Sequence, residues 1–368
     1  MTNEKTVREP LLHITKRNDI SKKKALLIRA IAVVAGLLLS AIVCGIIAGR
    51  NPLLFFGYLV NGAFGSSRKI WVLLRDMCLL LGVAMALLPA FKMKFWNLGG
   101  NGQIMMGALA AMICLFYLGG KLSDGVVILL MIVTSILAGA VWAVIPAIFK
   151  AFFKTNESLF TLMMNYIAIG FVNYFITRHS TGSNTIPPIE YANFPEIGNP
   201  YLLTIIVVAL ISALMFFYFK FSKHGYEVSV VGESENTARY VGINVKKVII
   251  RTMVLSGAIC GVIGLLLVGA INHTITPNLA NNMGFTAIMA AWLGKLDPLA
   301  IILTSFFIMF IDKGMGAVRT EFDLTNTAAS NIVLGIIYFA VIACEFFITY
   351  KVHFRTRKKA DKKEGGKK

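Results

Sequence analysis

The apolar positions of this chain fall into long, nearly uninterrupted runs that short polar segments separate. A run of about 18–20 apolar residues is long enough to cross the hydrocarbon core of a bilayer as a helix. The pattern predicts eight such spans, at 25–48, 70–91, 102–119, 125–149, 157–177, 201–219, 248–271 and 331–350. We therefore expect an all-α, polytopic helical membrane protein whose membrane domain covers 25–350.

One further apolar segment, 284–311, is interrupted by the sequence Gly-Lys-Leu-Asp-Pro at 294–298. Each arm of this segment is read as too short to cross a bilayer alone. A re-entrant or broken-helix hairpin is therefore predicted, with two tilted short helices as the alternative.

Composition and charge agree with a membrane protein and indicate its orientation. Hydrophobic residues make up 57% of the chain and charged residues 15%, and the formal net charge is +18. Of the 36 lysines and arginines, 25 lie in five segments that the predicted spans place on one side: 1–24, 92–101, 150–156, 220–247 and 351–368. Because basic residues favour the cytoplasmic side, we expect both termini in the cytoplasm and their basic segments, 1–24 and 351–368, against anionic membrane lipid. The charge shows no aromatic-interleaved basic domain, so nucleic acid is not an expected partner.

The sequence carries no pattern that is typical of catalysis. The five cysteines all lie in apolar runs without metal-ligand spacing, and the five histidines are scattered. No phosphate-binding loop and no paired catalytic carboxylates are recognisable. We expect a protein that is not an enzyme by itself and needs no cofactor or metal.

Polar residues inside the apolar runs are the candidate functional groups, because they are costly in a membrane. The stretch FWNLGGNGQ, residues 95–103, places Asn97, Asn101 and Gln103 among glycines where a helix should begin. A helix start offers free N–H groups, and neutral amides suit an uncharged, hydroxyl-rich solute better than an ion. Arg75 and Asp76 also enter a span, but sequence neighbours do not face each other on a helix, so they are not expected to form a simple pair.

Two loops and one glycine series carry further expectations. In the polar segment 220–247, Gly242 follows a triplet of small residues at the spacing of a helix stop. The proline-rich loop 178–200 should be ordered coil, and either a connector or a docking surface. The glycines at 257, 261 and 264 should allow close helix packing.

Four segments together resemble the signature segments of bacterial ABC-importer permeases, in the branch that handles simple sugars and nucleosides. They are FWNLGGNGQ (95–103), NESLFTLMMNYIA (156–168), ARYVGINV (238–245) and GFTAIMAAWLGKLDPLAI (284–301). The basic N-terminal segment resembles that of the longer subunit of a permease pair. The resemblance implies a translocation path that includes Asn97, Asn101, Gln103 and Asn165.

The same resemblance implies a short cytoplasmic helix that docks on an ATPase. Its residues here would be Glu235, Asn236, Thr237, Ala238, Arg239, Tyr240, Val241 and Gly242. The family pattern has an acid at the position of Asn236 and another at the position of Asn101, so this chain lacks both charges. Glu235 or Glu233 could replace the first, and the loss of the second disfavours a cationic solute.

The sequence therefore predicts the permease subunit of an ATP-driven ABC importer in the bacterial cytoplasmic membrane. Its implied partners are a separate ABC ATPase, a second permease subunit and an extracytoplasmic substrate-binding lipoprotein, and its solute is a nucleoside or a simple sugar. The alternative is an ion-coupled secondary transporter of a small polar solute, which would need buried acids or cation-coordinating unwound helices. A membrane-embedded enzyme is the third possibility, disfavoured by the lack of clustered catalytic residues.

Overall fold

The computed structural model describes residues 12–16, 21–180, 182, 185–195, 198–324 and 328–354 of the 368-residue chain. The predicted basic segments 1–24 and 351–368 lie mostly outside these residues. The helices, in chain order, are α1 Lys22–Ala48, α2 Leu54–Phe64, α3 Ser67–Lys92, α4 Gly100–Leu118, α5 Asp124–Phe153, α6 Glu157–His179, α7 Leu202–Phe221, α8 Lys223–Glu233, α9 Glu235–Tyr240, α10 Val245–Leu266, α11 Met283–Leu293, α12 Pro298–Glu321 and α13 Ala328–Thr349. A π-helical turn, Leu267–Asn272, extends α10, and the strands are β1 Leu12–Lys16 and β2 Tyr350–Phe354.

The predicted fold class is confirmed, because eight of the described helices are long and apolar enough to cross a membrane. Seven of these eight match predicted spans. The eighth is not the predicted span at 331–350 but α12, a 24-residue helix that the sequence interpretation treated as the short second arm of a hairpin. The expectation that neither arm could cross alone was therefore wrong for α12, which continues beyond the predicted end at residue 311. The predicted break is present, since α11 ends at Leu293 and α12 begins at Pro298.

Three elements near the two ends of the described chain were not predicted: one short helix and two strands. A short apolar helix, α2, occupies part of the loop after α1. Strands β1 and β2 pair in antiparallel register, with Leu12 opposite Phe354 and Lys16 opposite Tyr350. The β1–β2 pairing places the two ends of the described chain side by side.

The chain divides into two compact units. One consists of 1–57 together with 319–368, and the other is the continuous segment 58–318. In the first unit, α1 packs against α13, and Gly36 lies against Ala340 so closely that a Cβ at Gly36 would be 3.1 Å from that of Ala340.

The second unit is organised around α10, which packs on α3, α4 and α5. Its three spaced glycines allow this, as predicted. A Cβ would lie 2.2 Å from the carbonyl oxygen of Gly139 if added at Gly257, and 2.2 Å from that of Ser135 if added at Gly261. No side chain fits these positions, so α10 meets α5 backbone to backbone.

The loop after α6 is packed coil in its described residues, as expected from its prolines. The Ile189 N–H donates to the carbonyl oxygen of His273, and the Phe194 N–H donates to that of Gly269. Ile186 is buried, and the Ala192 N–H donates to the carboxylate of Asp124 at the start of α5. The loop therefore covers one end of α5 and of the π-helical turn.

Candidate transport and coupling sites

The start of α4 is held by a buried network around Asn97. This residue lies in the non-helical connection between α3 and α4 and is 0% exposed. Its Oδ1 accepts from the Gly99 N–H at 3.0 Å and from Nε2 of Gln103 at 3.2 Å. Its Nδ2 donates to Oγ of Ser256 in α10 at 3.3 Å. Asn97 thus ties the connection to both α4 and α10.

Helix α6 supplies a second set of bonds to the same connection. The Asn165 Oδ1 accepts from the Gly102 N–H at 2.7 Å, and its Nδ2 donates to the Leu98 carbonyl at 2.8 Å. The Thr161 Oγ1 accepts from the Leu98 N–H at 3.1 Å. Thr161 and Asn165 are four residues apart, so they present their polar groups on one face of α6.

The third contact joins α4 to α11. The Asn101 Oδ1 accepts from the Gly284 N–H at 2.7 Å. A Cβ at Gly284 would lie 2.6 Å from the backbone nitrogen of Asn101. Gly284 therefore allows α11 to reach the start of α4. The four amide residues that were predicted to line a path are brought together, and all four are buried.

Their burial changes what these amides can do. The helix start was expected to offer free N–H groups to a solute, but the backbone N–H groups of Gly99 and Gly102 are both bonded to asparagine side chains. Of the side-chain polar atoms of these four residues, those left for a solute or water are Oε1 of Gln103, which has no hydrogen-bond partner, and Nδ2 of Asn101. Most of the network stabilises the fold, because a buried backbone N–H without an acceptor is costly.

Sequence reasoning missed the partners of these amides. Ser256, Thr161 and Gly284 were not singled out, and Asn165 was reached only through the family resemblance. The available signal was Thr161 and Asn165 at a four-residue spacing in an otherwise apolar helix, which indicates a polar stripe that faces protein.

A charged cluster lies inside the membrane-spanning helices, and here the sequence interpretation was wrong. Nε of Arg75 is 2.7 Å from Oδ1 of Asp76, although these residues are neighbours in α3. Nζ of Lys313 in α12 lies 2.6 Å from Oδ2 of the same aspartate. The Arg75 guanidinium also lies 5.5 Å from the ring centre of Tyr201. Asp76 bridges two cations, because the long arginine side chain can fold back along its own helix.

The polar segment 220–247 is helical and firmly anchored. Val228 and Val231 of α8 and Ala238 of α9 are buried in one cluster with residues from the ends of three long helices and the α3–α4 connection. Gly232 lies so close to the end of α3 that a Cβ there would be 1.9 Å from the carbonyl oxygen of Lys92. The segment is therefore a packed part of the unit rather than a free loop.

An ion pair adds a second attachment between α8 and α10. A guanidinium nitrogen of Arg251 lies 2.8 Å from a carboxylate oxygen of Glu227, and both side chains are mostly buried. The hydrogen bond from Arg251 lowers the pKa of the Glu227 carboxyl below its usual value. The stabilising charge pair is therefore present at neutral pH and is lost as pH falls through that lowered pKa.

Helix α9 protrudes from this anchor, because every one of its six residues except Ala238 is exposed. The Ser234 side chain accepts from the Thr237 N–H at 3.2 Å and caps the start. Glu235 and Arg239 form an exposed pair at 3.5 Å. Tyr240, at the end of the helix, is 92% exposed. Val241, which follows it, is 63% exposed, so two neighbouring apolar side chains of this segment face solvent.

Gly242 ends α9 in the conformation that its position predicts. Its φ is +82°, and an added Cβ would meet nothing within 4 Å. The Gly242 N–H donates to the Arg239 carbonyl at 3.0 Å, and the Ile243 N–H donates to the Ala238 carbonyl at 2.9 Å. This pair of bonds is a Schellman motif, so the glycine is required for its backbone angle and not for space.

Helix α6 presents an unusual outer face. Tyr166, Asn173 and Tyr174 are all exposed, Tyr166 to 64% and Tyr174 to 71%. They lie at spacings of seven and eight residues, which places them on the same side of the helix. Tyr166 is about 14 Å along α6 from its first residue, far from either end, where a phenol or amide facing lipid would be costly.

Together, the apolar spans, the buried polar network and the protruding polar helix define a multi-pass membrane protein of the transport class. The chain belongs to the family described as branched-chain amino acid transport system / permease component, whose profile matches residues 70–342. The predicted resemblance to permeases is confirmed.

Three curated relatives match most of the chain. The guanosine ABC transporter permease protein NupP of Bacillus subtilis is 27% identical and covers 87% of this chain and 94% of its own length. The nucleoside ABC transporter permease protein NupB of Lactococcus lactis is 27% identical over 93% of this chain and 99% of its own. The glucose ABC transporter permease protein of Haloferax volcanii is 26% identical over 76% and 77%.

Proposed function

We propose that this chain is a permease subunit of an ATP-driven importer for nucleosides. It would work with a separate ABC ATPase, a second permease subunit and an extracytoplasmic substrate-binding lipoprotein, in a bacterial cytoplasmic membrane. The observation that carries the proposal is the anchored, protruding helix α9, which belongs to a chain of a permease family. Nucleosides are preferred to sugars because the two nucleoside-named relatives match nearly their full lengths.

Coupling would proceed through α9 and its anchor. The exposed side chains of Asn236, Thr237, Tyr240 and Val241 form the proposed docking face for the ATPase. Ala238 lies beneath them, buried against the ends of the long helices. A movement of α9 would therefore reach α3, α5 and α10 through packed side chains and through the Glu227–Arg251 pair.

The orientation is supported by charge and by the paired termini. The basic segments 1–24, 220–247 and 351–368 favour the cytoplasmic side. Strands β1 and β2 lie side by side, as expected if both termini share that side. The ATPase would then meet α9 in the cytoplasm.

The second permease subunit would cover the exposed face of α6. Tyr166, Asn173 and Tyr174 would there meet protein or the water-filled path between two subunits rather than lipid. Asn101 and Gln103 remain candidates for solute contact through their unbonded polar atoms, whereas Asn97 and Asn165 would position them.

Uptake by cells tests the function directly. A strain that lacks this chain should lose uptake of radiolabelled guanosine or another nucleoside and keep glucose uptake. In the complemented strain, uptake should survive a protonophore while ATP is maintained. If uptake collapsed with the proton gradient at constant ATP, the ion-coupled transporter would be correct instead.

A single substitution tests the coupling face. Tyr240→Ala removes a 92%-exposed side chain that makes little contact with the rest of the chain, so membrane levels should remain normal. Co-purification of the ATPase and nucleoside uptake should both fall at least fivefold. Tyr191→Ala, at an exposed tyrosine of the loop after α6, is the matched control and should retain the ATPase. Normal ATPase retention in Tyr240→Ala would remove α9 from the coupling path.

A further inference from the structure

An open groove lies beside the first three turns of α10. It encloses about 660 Å³ and is lined by Phe152, Asn244, Lys246, Lys247, Ile250, Arg251 and Val254. The α10 residues of this set recur at spacings of three and four, which places them on one face of the helix. The opposite face of α10, including Val248, Thr252 and Met253, is buried in the unit.

The groove has a polar mouth and an apolar body. Lys246 and Lys247 lie at the start of α10 and are exposed. Nζ of Lys246 lies 4.5 Å from the ring centre of Phe152, the aromatic residue on the α5 side. Ile250 and Val254 continue the groove along α10, and Val254 lies about 12 Å beyond Lys246. Apart from Arg251, which is paired with Glu227, the polarity therefore changes along the helix axis from basic to apolar.

A second cavity of about 370 Å³ adjoins the mouth and shares three of its residues. The charged and titratable groups around the two cavities are Lys223, His224, Glu227, Lys246, Lys247 and Arg251. Glu227 is paired with Arg251, which leaves the lysines without a balancing acid in these linings. The mouth is therefore net positive and suits an anion.

The apolar body decides what kind of anion fits. Ile250 and Val254 lie inside the candidate span Val245–Asn272 and inside the predicted apolar run 248–271, which Lys246 and Lys247 precede. A water-soluble protein could reach the lysines but could not fill the groove beside Val254 inside the bilayer. A phospholipid has both parts, a phosphate for the lysines and an acyl chain for the groove.

We propose that this groove binds one anionic phospholipid, with its phosphate against Lys246 and Lys247 and an acyl chain along Ile250 and Val254. The site does not depend on which solute is transported. Since it adjoins the turn that joins α9 to α10, the bound lipid would also hold the base of the proposed coupling helix.

Native mass spectrometry of the full-length, delipidated chain tests the site. Titration with phosphatidylglycerol should show one lipid that binds before all others, and phosphatidylcholine with the same acyl chains should not reproduce it. Lys246→Gln with Lys247→Gln should weaken this first binding by about tenfold or more, because each lysine near a phosphate contributes substantially to the attraction. The matched control is Lys94→Gln with Lys220→Gln. It removes two exposed lysines on the same predicted side of the membrane and should bind the lipid normally.

A second variant separates the acyl chain from the charge. Val254→Trp fills the groove without changing any charge, and it should also reduce the first binding of phosphatidylglycerol. Glycerol 1-phosphate, which has the phosphate and no chain, should not compete.

Three outcomes would overturn the proposal. The first is unchanged phosphatidylglycerol binding in the Lys246→Gln, Lys247→Gln variant, and the second is competition by glycerol 1-phosphate equal to that of the lipid. The third is that the same lysine variant loses ATPase co-purification but keeps its lipid binding. The last would assign the lysines to a protein contact. None of these measurements depends on nucleoside uptake, so the lipid site and the proposed function can fail separately.

Discussion

The start of α4 and the helical segment α8–α9 are both polar stretches of an apolar chain, and they use their polar residues in opposite ways. At the start of α4, Asn97 and Asn165 are buried and bonded to backbone groups of the same unit. In α9, Asn236 and Tyr240 are exposed, and only Ala238 faces the protein. In the first region the polar groups are hydrogen-bonded within the unit, and in the second they are exposed and available to a partner.

This difference shows that a polar residue in a membrane helix is not by itself a sign of solute contact. The helix break before α4 leaves N–H groups that must be satisfied without water, and asparagines from the connection and from α6 satisfy them. Conversely, an exposed polar helix outside the membrane has no such requirement. Its side chains are available to a partner, and its single buried alanine fixes its position.

Ala238→Arg should have the largest effect and would sharpen the comparison. Ala238 is 0% exposed in a cluster of apolar side chains, so the substitution buries an unpaired charge. The expected loss is about 3–5 kcal/mol of stability. The amount of folded protein in membranes, measured by size-exclusion chromatography of a fluorescent fusion, should fall severely. The effect is thus on folding rather than on docking alone.

Asn236→Arg is the matched control for this prediction. It places the same side chain two residues earlier, on the exposed side of α9, and folded protein should remain near normal. Equal folded levels in the two arginine variants would contradict the burial of Ala238.

Asn165→Ala should have the second largest effect. It leaves the Gly102 N–H and the Leu98 carbonyl without their side-chain partner in a buried site. Two such losses should cost about 2–4 kcal/mol, seen as a lower unfolding temperature in detergent. Asn173→Ala, on the exposed face of the same helix, should leave this temperature nearly unchanged. If Asn173→Ala lowered the unfolding temperature more than Asn165→Ala did, the amide network would not be what stabilises α4.

The sequence predicted seven of the eight candidate spans and their approximate limits, because bilayer thickness and apolar run length are directly related. It did not predict that α12 continues past residue 311, since Asp312 and Lys313 interrupt the apolar pattern. The structure explains why a charged residue is tolerated within α12, because Lys313 is paired with Asp76 of α3. Such pairing depends on residues more than 200 positions apart and leaves no local pattern.

The candidate site was predicted unevenly for the same reason. Gly242 was placed correctly because a helix stop has a local signature, and its φ of +82° agrees. The burial of Ala238 was not foreseen, since a small residue is equally compatible with a docking face and with a packed core. The partners of Asn97 and Asn101 lie on α10 and α11, and only the folded chain brings them to the start of α4.

Gly242→Val should have the smallest effect on stability and the most specific effect on coupling. A β-branched residue at a φ of +82° is strained by about 1–2 kcal/mol, although space for the side chain is open. The strain should break the two bonds that end α9 and misplace Tyr240, while the membrane helices stay inserted. Membrane levels should therefore remain near normal, and ATPase co-purification and substrate-linked ATP hydrolysis should be lost. Gly242→Asn is the matched control, because asparagine tolerates left-handed backbone angles, and it should retain most of the coupling. If valine and asparagine behaved alike, the left-handed stop would not be what positions the exposed face of α9.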